Sequence, residues 1–152
     1  MSDMIINVDE VTKYLSYDGA YIRRADDDDI PELARIINDA YSYQDEVKGR
    51  PRTDSSHLKA RIDETYFYVV MVNKAMVGCF YLEPRCSSLH FGLLTLVPKM
   101  RGTGLGKAIM TSISDFATNK SFKLLELDYV SLAPWLKQYY ELHGFRETGE
   151  VT

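Results

Sequence analysis

The stretch Leu93–Met110, LLTLVPKMRGTGLGKAIM, decides how this chain is read. An apolar run halts at Pro98, passes an arginine and three alternating glycines, and resumes with helical spacing. Glycine permits φ > 0 and lets another group come close to the main chain. A strand, a glycine-rich turn and a helix N-terminus in succession aim main-chain N–H groups at one point, where an anion is held. Arg101 and Lys107 bracket Gly102, Thr103, Gly104, Leu105 and Gly106 and add positive charge there. Two well-known phosphate loops fail on spacing. A Walker loop needs a glycine six residues before the lysine and a hydroxyl after it, where this chain has Arg101 and Ala108. The dinucleotide fingerprint needs an uneven glycine spacing, and these three are evenly spaced.

Working outward, Leu105, Ala108, Ile109, Ile113, Phe116 and Ala117 fall on one helical face after the turn. Before it, YFYVVMV and AMVGCFYL read as two strands joined through Asn73 and Lys74, followed by the strand LHFGLLTL. Nearer the N-terminus, YIRRA is a strand that stops at Asp26–Asp29. Four aspartates in a row suit a helix cap and first turn, and Pro31 agrees. That helix is predicted to run to about Tyr43. Thr53 or Asp54 caps a second, SSHLKARIDE. Downstream, KLLELDYV is a strand, PWLKQYYELH a helix closed by Gly144, and FRETGE a last short strand. Residues 1–19 read as an N-terminal extension, with MIINV a short strand and EVTKYL a helical turn, and residues 20–152 as the domain. The class is α/β with a mixed sheet.

A length of 152 residues fits a single domain with a real core, and 45% hydrophobic and 26% charged residues are ordinary for a globular chain. A net charge of −4 argues against nucleic-acid binding. No apolar run reaches the roughly 20 residues of a membrane span. The start MSDMIINVDE lacks the pattern of a signal peptide. Cys79 and Cys86 form no metal-ligand spacing and no disulfide framework, so the expectation is a cytoplasmic protein with no metal. Eleven tyrosines exceed what a core requires, and some are expected to line a cleft.

The order Arg101-Gly-Thr-Gly-Leu-Gly106 after VPKM resembles the Arg/Gln-x-x-Gly-x-Gly/Ala motif of the GCN5-related N-acetyltransferase (GNAT) family. YIRRADDDDIPELARIINDAY, MVGCFYL and YYELHGF resemble other family segments in family order, so the likeness covers about residues 20–150. It implies a mostly antiparallel central sheet flanked by helices. It also implies acetyl-coenzyme A as cosubstrate, with its pyrophosphate on residues 101–107 and its pantetheine arm paired with the main chain of Leu94, Leu96 and Val97. The reaction implied is direct acetyl transfer to an amine on a small molecule or peptide. A non-catalytic acyl-coenzyme A sensor of the same fold is the competing reading.

Such a transfer needs a base for the attacking ammonium and a proton for the leaving thiolate. Tyr140 falls on the family's tyrosine near the thioester sulfur, and a phenol of pKa near ~10 suits that donation. Tyr139, about 100° around the helix, faces elsewhere. His90 stands where the family often has a glutamate. Counting by two, His90, Gly92, Leu94 and Leu96 share one strand face, which the resemblance turns toward the thioester. Glu83 is the competing base, and a water chain is the third possibility. The family's asparagine contact to the pantetheine arm is replaced by Ala133, before Pro134 and Trp135, a form found in a subset of the family. The loop carrying Asp45, Glu46, Arg50 and Arg52 falls where the family lines its acceptor cleft. The family's final strand has no counterpart before Thr152. A second copy of the chain or MIINV would then cover the open edge, or the sequence is a piece of a longer one.

Overall fold

Strands such as YFYVVMV are apolar at nearly every position, so their sheet must be covered on both faces. The computed structural model describes residues 11–40, 54–85 and 88–127. In chain order the elements are β1 (Ala20–Arg24), α1 (Ile30–Ala40), α2 (Ser55–Glu64), β2 (Tyr66–Val72), β3 (Ala75–Arg85), β4 (Ser88–Leu96), α3 (Leu105–Asn119) and β5 (Leu124–Leu127). The five strands among the described residues lie in sequence order. Neighbours from β1 to β4 are antiparallel, and β5 runs parallel to β4. A parallel pair needs a crossover, which α3 supplies. The expected α/β class, a mostly antiparallel sheet flanked by helices, is what the chain forms.

One face packs Tyr68, Phe80, Leu82, Leu89 and Phe91 against Leu105, Ile109, Ile113 and Phe116 of α3. Residues 11–19, expected to be an extension, also dock here. Val11 is fully buried, Tyr14, Leu15 and Tyr17 pack beside it, and the Ser112 hydroxyl donates to the Val11 carbonyl at 2.7 Å. The other face packs Phe67, Val69, Cys79, Tyr81 and Leu93 against Leu33, Ile36 and Ile37 of α1 and Leu58 and Ile62 of α2. No helix among the described residues is long and apolar enough to cross a membrane.

The aspartate run caps a helix, as its composition suggests. Asp26 accepts from the Asp28 N–H at 2.9 Å, and Asp29 reaches back to accept from the Asp26 N–H at 2.9 Å. A 3-10 turn, Asp27–Asp29, then leads into α1. Asp29 also takes both arms of the Arg23 guanidinium, at 2.8 and 2.9 Å. That pairing ties β1 to α1. At α2, Asp54 is the cap, accepting from the His57 N–H at 2.8 Å. The segments MIINV, PWLKQYYELH with Tyr139 and Tyr140, and FRETGE lie outside the described residues. So do Cys86, Ala133, the charges from Asp45 to Arg52, and the open sheet edge.

The Arg23 hydrogen bonds hold the Asp29 carboxyl below the usual carboxylate range. A lowered native pKa stabilises the fold above the unfolded value, and the contribution is lost as pH falls through the native one. Asp29→Asn should therefore cost about 1–2 kcal/mol at neutral pH, from the lost cap and ion pair. Urea titrations at several pH values check this. The gap between wild type and variant should close as the medium becomes acidic.

Candidate active site

The glycine turn follows β4 directly. The Val97 N–H closes the strand on the Val77 carbonyl at 2.9 Å, and Pro98–Met100 form a 3-10 turn. Gly102 and Gly104 then take φ of 76° and 92°, a left-handed backbone that glycine adopts freely. Nothing lies within 4 Å of where a Cβ would stand at either position, so the outer side of the turn is open. Gly104 is the N-cap of α3 and offers no side-chain cap. The helix's first bond is Ala108 N–H to Gly104 O at 3.0 Å, so the N–H groups of Gly106 and Lys107 precede it. The Leu105 N–H has only a long 3.4 Å contact to the Thr103 hydroxyl. Exposed Arg101, whose guanidinium lies 3.4 Å from the Leu96 carbonyl, and exposed Lys107 complete a cationic rim. Unused donors, open space and positive charge fit a diphosphate.

Between His90 and this turn, β4 breaks its alternation. The β3–β4 register slips between Cys79 and Tyr81, and Leu93 adopts a φ of 52°. This is a β-bulge, and it corrects the count by two. His90 and Gly92 lie on the face covered by α1 and α2 with Leu93, whereas Leu94 and Leu96 pack toward α3. A leucine at positive φ is strained by about 1–3 kcal/mol unless its surroundings enforce it. Here the buried Thr95 hydroxyl donates to the Leu93 carbonyl at 2.8 Å and the Cys79 thiol donates at 3.7 Å. Burial pushes the Cys79 pKa up to about 12, so the thiol keeps its proton and serves as a donor.

The bulge leaves His90 in a row of polar side chains. His90 is directly opposite Glu83 on β3 and beside Glu126 on β5. It is only 4% exposed. Glu83 is shared with Arg85, whose Nε donates to it at 2.8 Å, and Glu126 is exposed. The Tyr81 ring lies next to His90, with centroids 6.2 Å apart, and the Arg61 guanidinium sits 5.0 Å over the same ring. A Cβ on Gly92 would fall 2.5 Å from the Tyr81 phenol, so glycine there is what seats the ring. The structure thus brings His90 and Glu83 together, with the glycine turn beyond the bulge. Sequence reasoning missed Glu126, Tyr81 and Arg61. The alternation of KLLELDYV could have marked Glu126, but no local signal joins Arg61 to Tyr81. A surface cleft of about 630 Å³ beside Val97, Pro98 and Lys99 includes neither His90 nor Glu83.

Thr95→Val keeps the shape and removes the hydroxyl, the stronger of the two side-chain donors to the Leu93 carbonyl. The expected loss is about 1–2 kcal/mol of stability, and Thr95→Ser should recover part of it. Chemical denaturation of both variants checks the pair.

A family model described as an acetyltransferase (GNAT) domain matches residues 37–152. No curated protein matches the sequence. Among solved structures, a transcriptional regulator from Bacillus halodurans C-125 is similar at 17% identity, covering 88% of this chain and 97% of that one, with a TM-score of 0.70. The ribosomal-protein-S18-alanine N-acetyltransferase of Escherichia coli is similar at 16% identity, covering 85% and 79%, with a TM-score of 0.69. An aminoglycoside acetyltransferase from an uncultured soil metagenomic sample, in complex with sisomicin, is similar at 18% identity, covering 88% and 93%, with a TM-score of 0.60. At these identities the likeness is one of fold.

Proposed function

Because the chain belongs to the acetyltransferase (GNAT) family, we propose that it transfers the acetyl group of acetyl-coenzyme A directly to a primary amine in a ternary complex. The observation that carries the reading is the turn at Gly102–Gly104, with two left-handed glycines, an open outer side and helix N–H groups ahead of the first helical bond. When bound, acetyl-coenzyme A supplies the activated acetyl thioester. On this reading the N–H groups of residues 102–107, with Arg101 and Lys107, hold its pyrophosphate. The main chain of Leu94, Leu96 and Val97 pairs with its pantetheine arm. His90 accepts the proton of the attacking ammonium at an imidazole nitrogen, with Glu83 as the alternative base and water as the third. The Tyr140 hydroxyl donates a proton to the leaving sulfur. Cys79, buried and protonated, takes no covalent part. The proposed setting is the cytoplasm.

A structure of this fold is named a transcriptional regulator, which favours a second reading in which the chain senses acyl-coenzyme A without catalysis. Release of free coenzyme A across a panel of amines separates the two, because only the enzyme turns over.

Gly104→Ala or Arg101→Ala should weaken acetyl-coenzyme A binding at least about tenfold, or ~1.4 kcal/mol, while the fold persists. Calorimetry with unchanged affinity in both would remove the cradle assignment.

In steady-state kinetics, Tyr140→Phe should lower kcat with little change in coenzyme affinity, while Tyr139→Phe stays close to wild type. His90→Gln should shift or abolish the acidic limb of kcat/KM. Equal effects at the two tyrosines would end the acid assignment, and an unchanged pH profile would pass the base role to Glu83 or water.

A further inference from the structure

Three of the six arginines among the described residues are paired with carboxylates. Arg23 is bound to Asp29, Arg35 to Glu32 and Arg85 to Glu83. Arg24 stacks on Tyr66 and Tyr68, and Arg101 belongs to the glycine turn. Arg61, in the last turn of α2, is half-buried on the Tyr81 ring and has no carboxylate partner among the described residues. From this placement we propose that the acceptor is a zwitterionic amine, an amino acid or short peptide, whose carboxylate is gripped by Arg61 while its amine lies at His90. This rests on the acetyl-transfer reading and names its substrate class.

Three features of the geometry carry it. The Arg61 guanidinium carbon lies 5.0 Å over the centre of the Tyr81 ring, and a guanidinium held against an aromatic ring still has N–H groups with which to take a carboxylate in a two-pronged bond. Partial burial removes water that would compete for them. The ring beneath it is fixed, because Tyr81 occupies the space above Gly92.

The same ring adjoins the imidazole of His90, so two contacts, of 5.0 and 6.2 Å, link the cation to the candidate base. Guanidinium and imidazole therefore lie within about 11 Å, a span of at most about three extended residues. At the far end the charge reverses, since Glu126 and Glu83, the latter shared with Arg85, flank His90 in the sheet and set carboxylate oxygens where an ammonium would lie. A cation at one end and carboxylates at the other match an acceptor carrying both charges. A polyamine would place positive charge against Arg61.

The test compares matched acceptors: a free amino acid or dipeptide, its methyl ester, and the amine lacking the carboxyl group. For wild type, kcat/KM by coenzyme A release should favour the free acid at least about tenfold over both. In Arg61→Gln the ratio of acid to ester should fall toward one, through a raised KM for the acid. Arg61→Lys, with charge but no fork, should recover part of the preference. Thermal melts check that the variants fold, and the wild-type comparison needs no variant. Equal use of acid and ester by wild type, or a preference that survives Arg61→Gln, would overturn the proposal while leaving acetyl transfer standing. Calorimetry with the acid and the ester runs beside it, and equal binding overturns the Arg61 assignment. Tight, Arg61-dependent binding of the acid with no coenzyme A released from any amine would uphold that assignment and overturn acetyl transfer alone.

Discussion

The carbonyl of Leu93 sits where a sheet covered on both faces changes its phase. Leu93 is held at a positive φ that leucine resists, and its oxygen receives the Thr95 hydroxyl and the Cys79 thiol from within the core. Residues before this point face the helices α1 and α2 at His90 and Gly92, and residues after it turn toward α3 at Leu94 and Leu96. Without the extra residue, one strand could not present a buried imidazole on one face and still run into the glycine turn with its apolar side chains under α3. The strain is small beside the packing that enforces it.

Polar chemistry is kept at the margins of that packing. The glycine turn projects beyond the end of β4, where its N–H groups meet solvent, and the row of Glu83, His90 and Glu126 crosses the sheet at the opposite end of the same strand. The ion pairs of Arg23 with Asp29 and of Lys59 with Asp27 and Asp63 lie apart from both: the first joins β1 to the turn before α1, the second joins α2 to that turn, and the third lies within α2.

Much of the framework was legible in the residues. SSHLKARIDE and YFYVVMV coincide with α2 and β2, because a capping aspartate and a run of β-branched and aromatic residues are strong local signals. The glycines announced the turn. The bulge was not legible, since a leucine carries no mark of a left-handed backbone and strict alternation is the natural assumption for a strand. The pleat count therefore put Leu94 and Leu96 on the wrong face. Arg61 and Tyr81 escaped for another reason. Their meeting depends on how α2 lies across the sheet, and no spacing along the chain encodes that.

The hollow at Gly92 has a consequence for how such a sequence can drift. The phenol of Tyr81 stands where the side chain of residue 92 would otherwise be, so the two positions share one volume. Neither can be enlarged alone without displacing the other, and a smaller residue at 81 would open a void that a larger one at 92 could fill. Among descendants of this chain, the two sites are bound to change as a couplet, and with them the surface on which Arg61 rests.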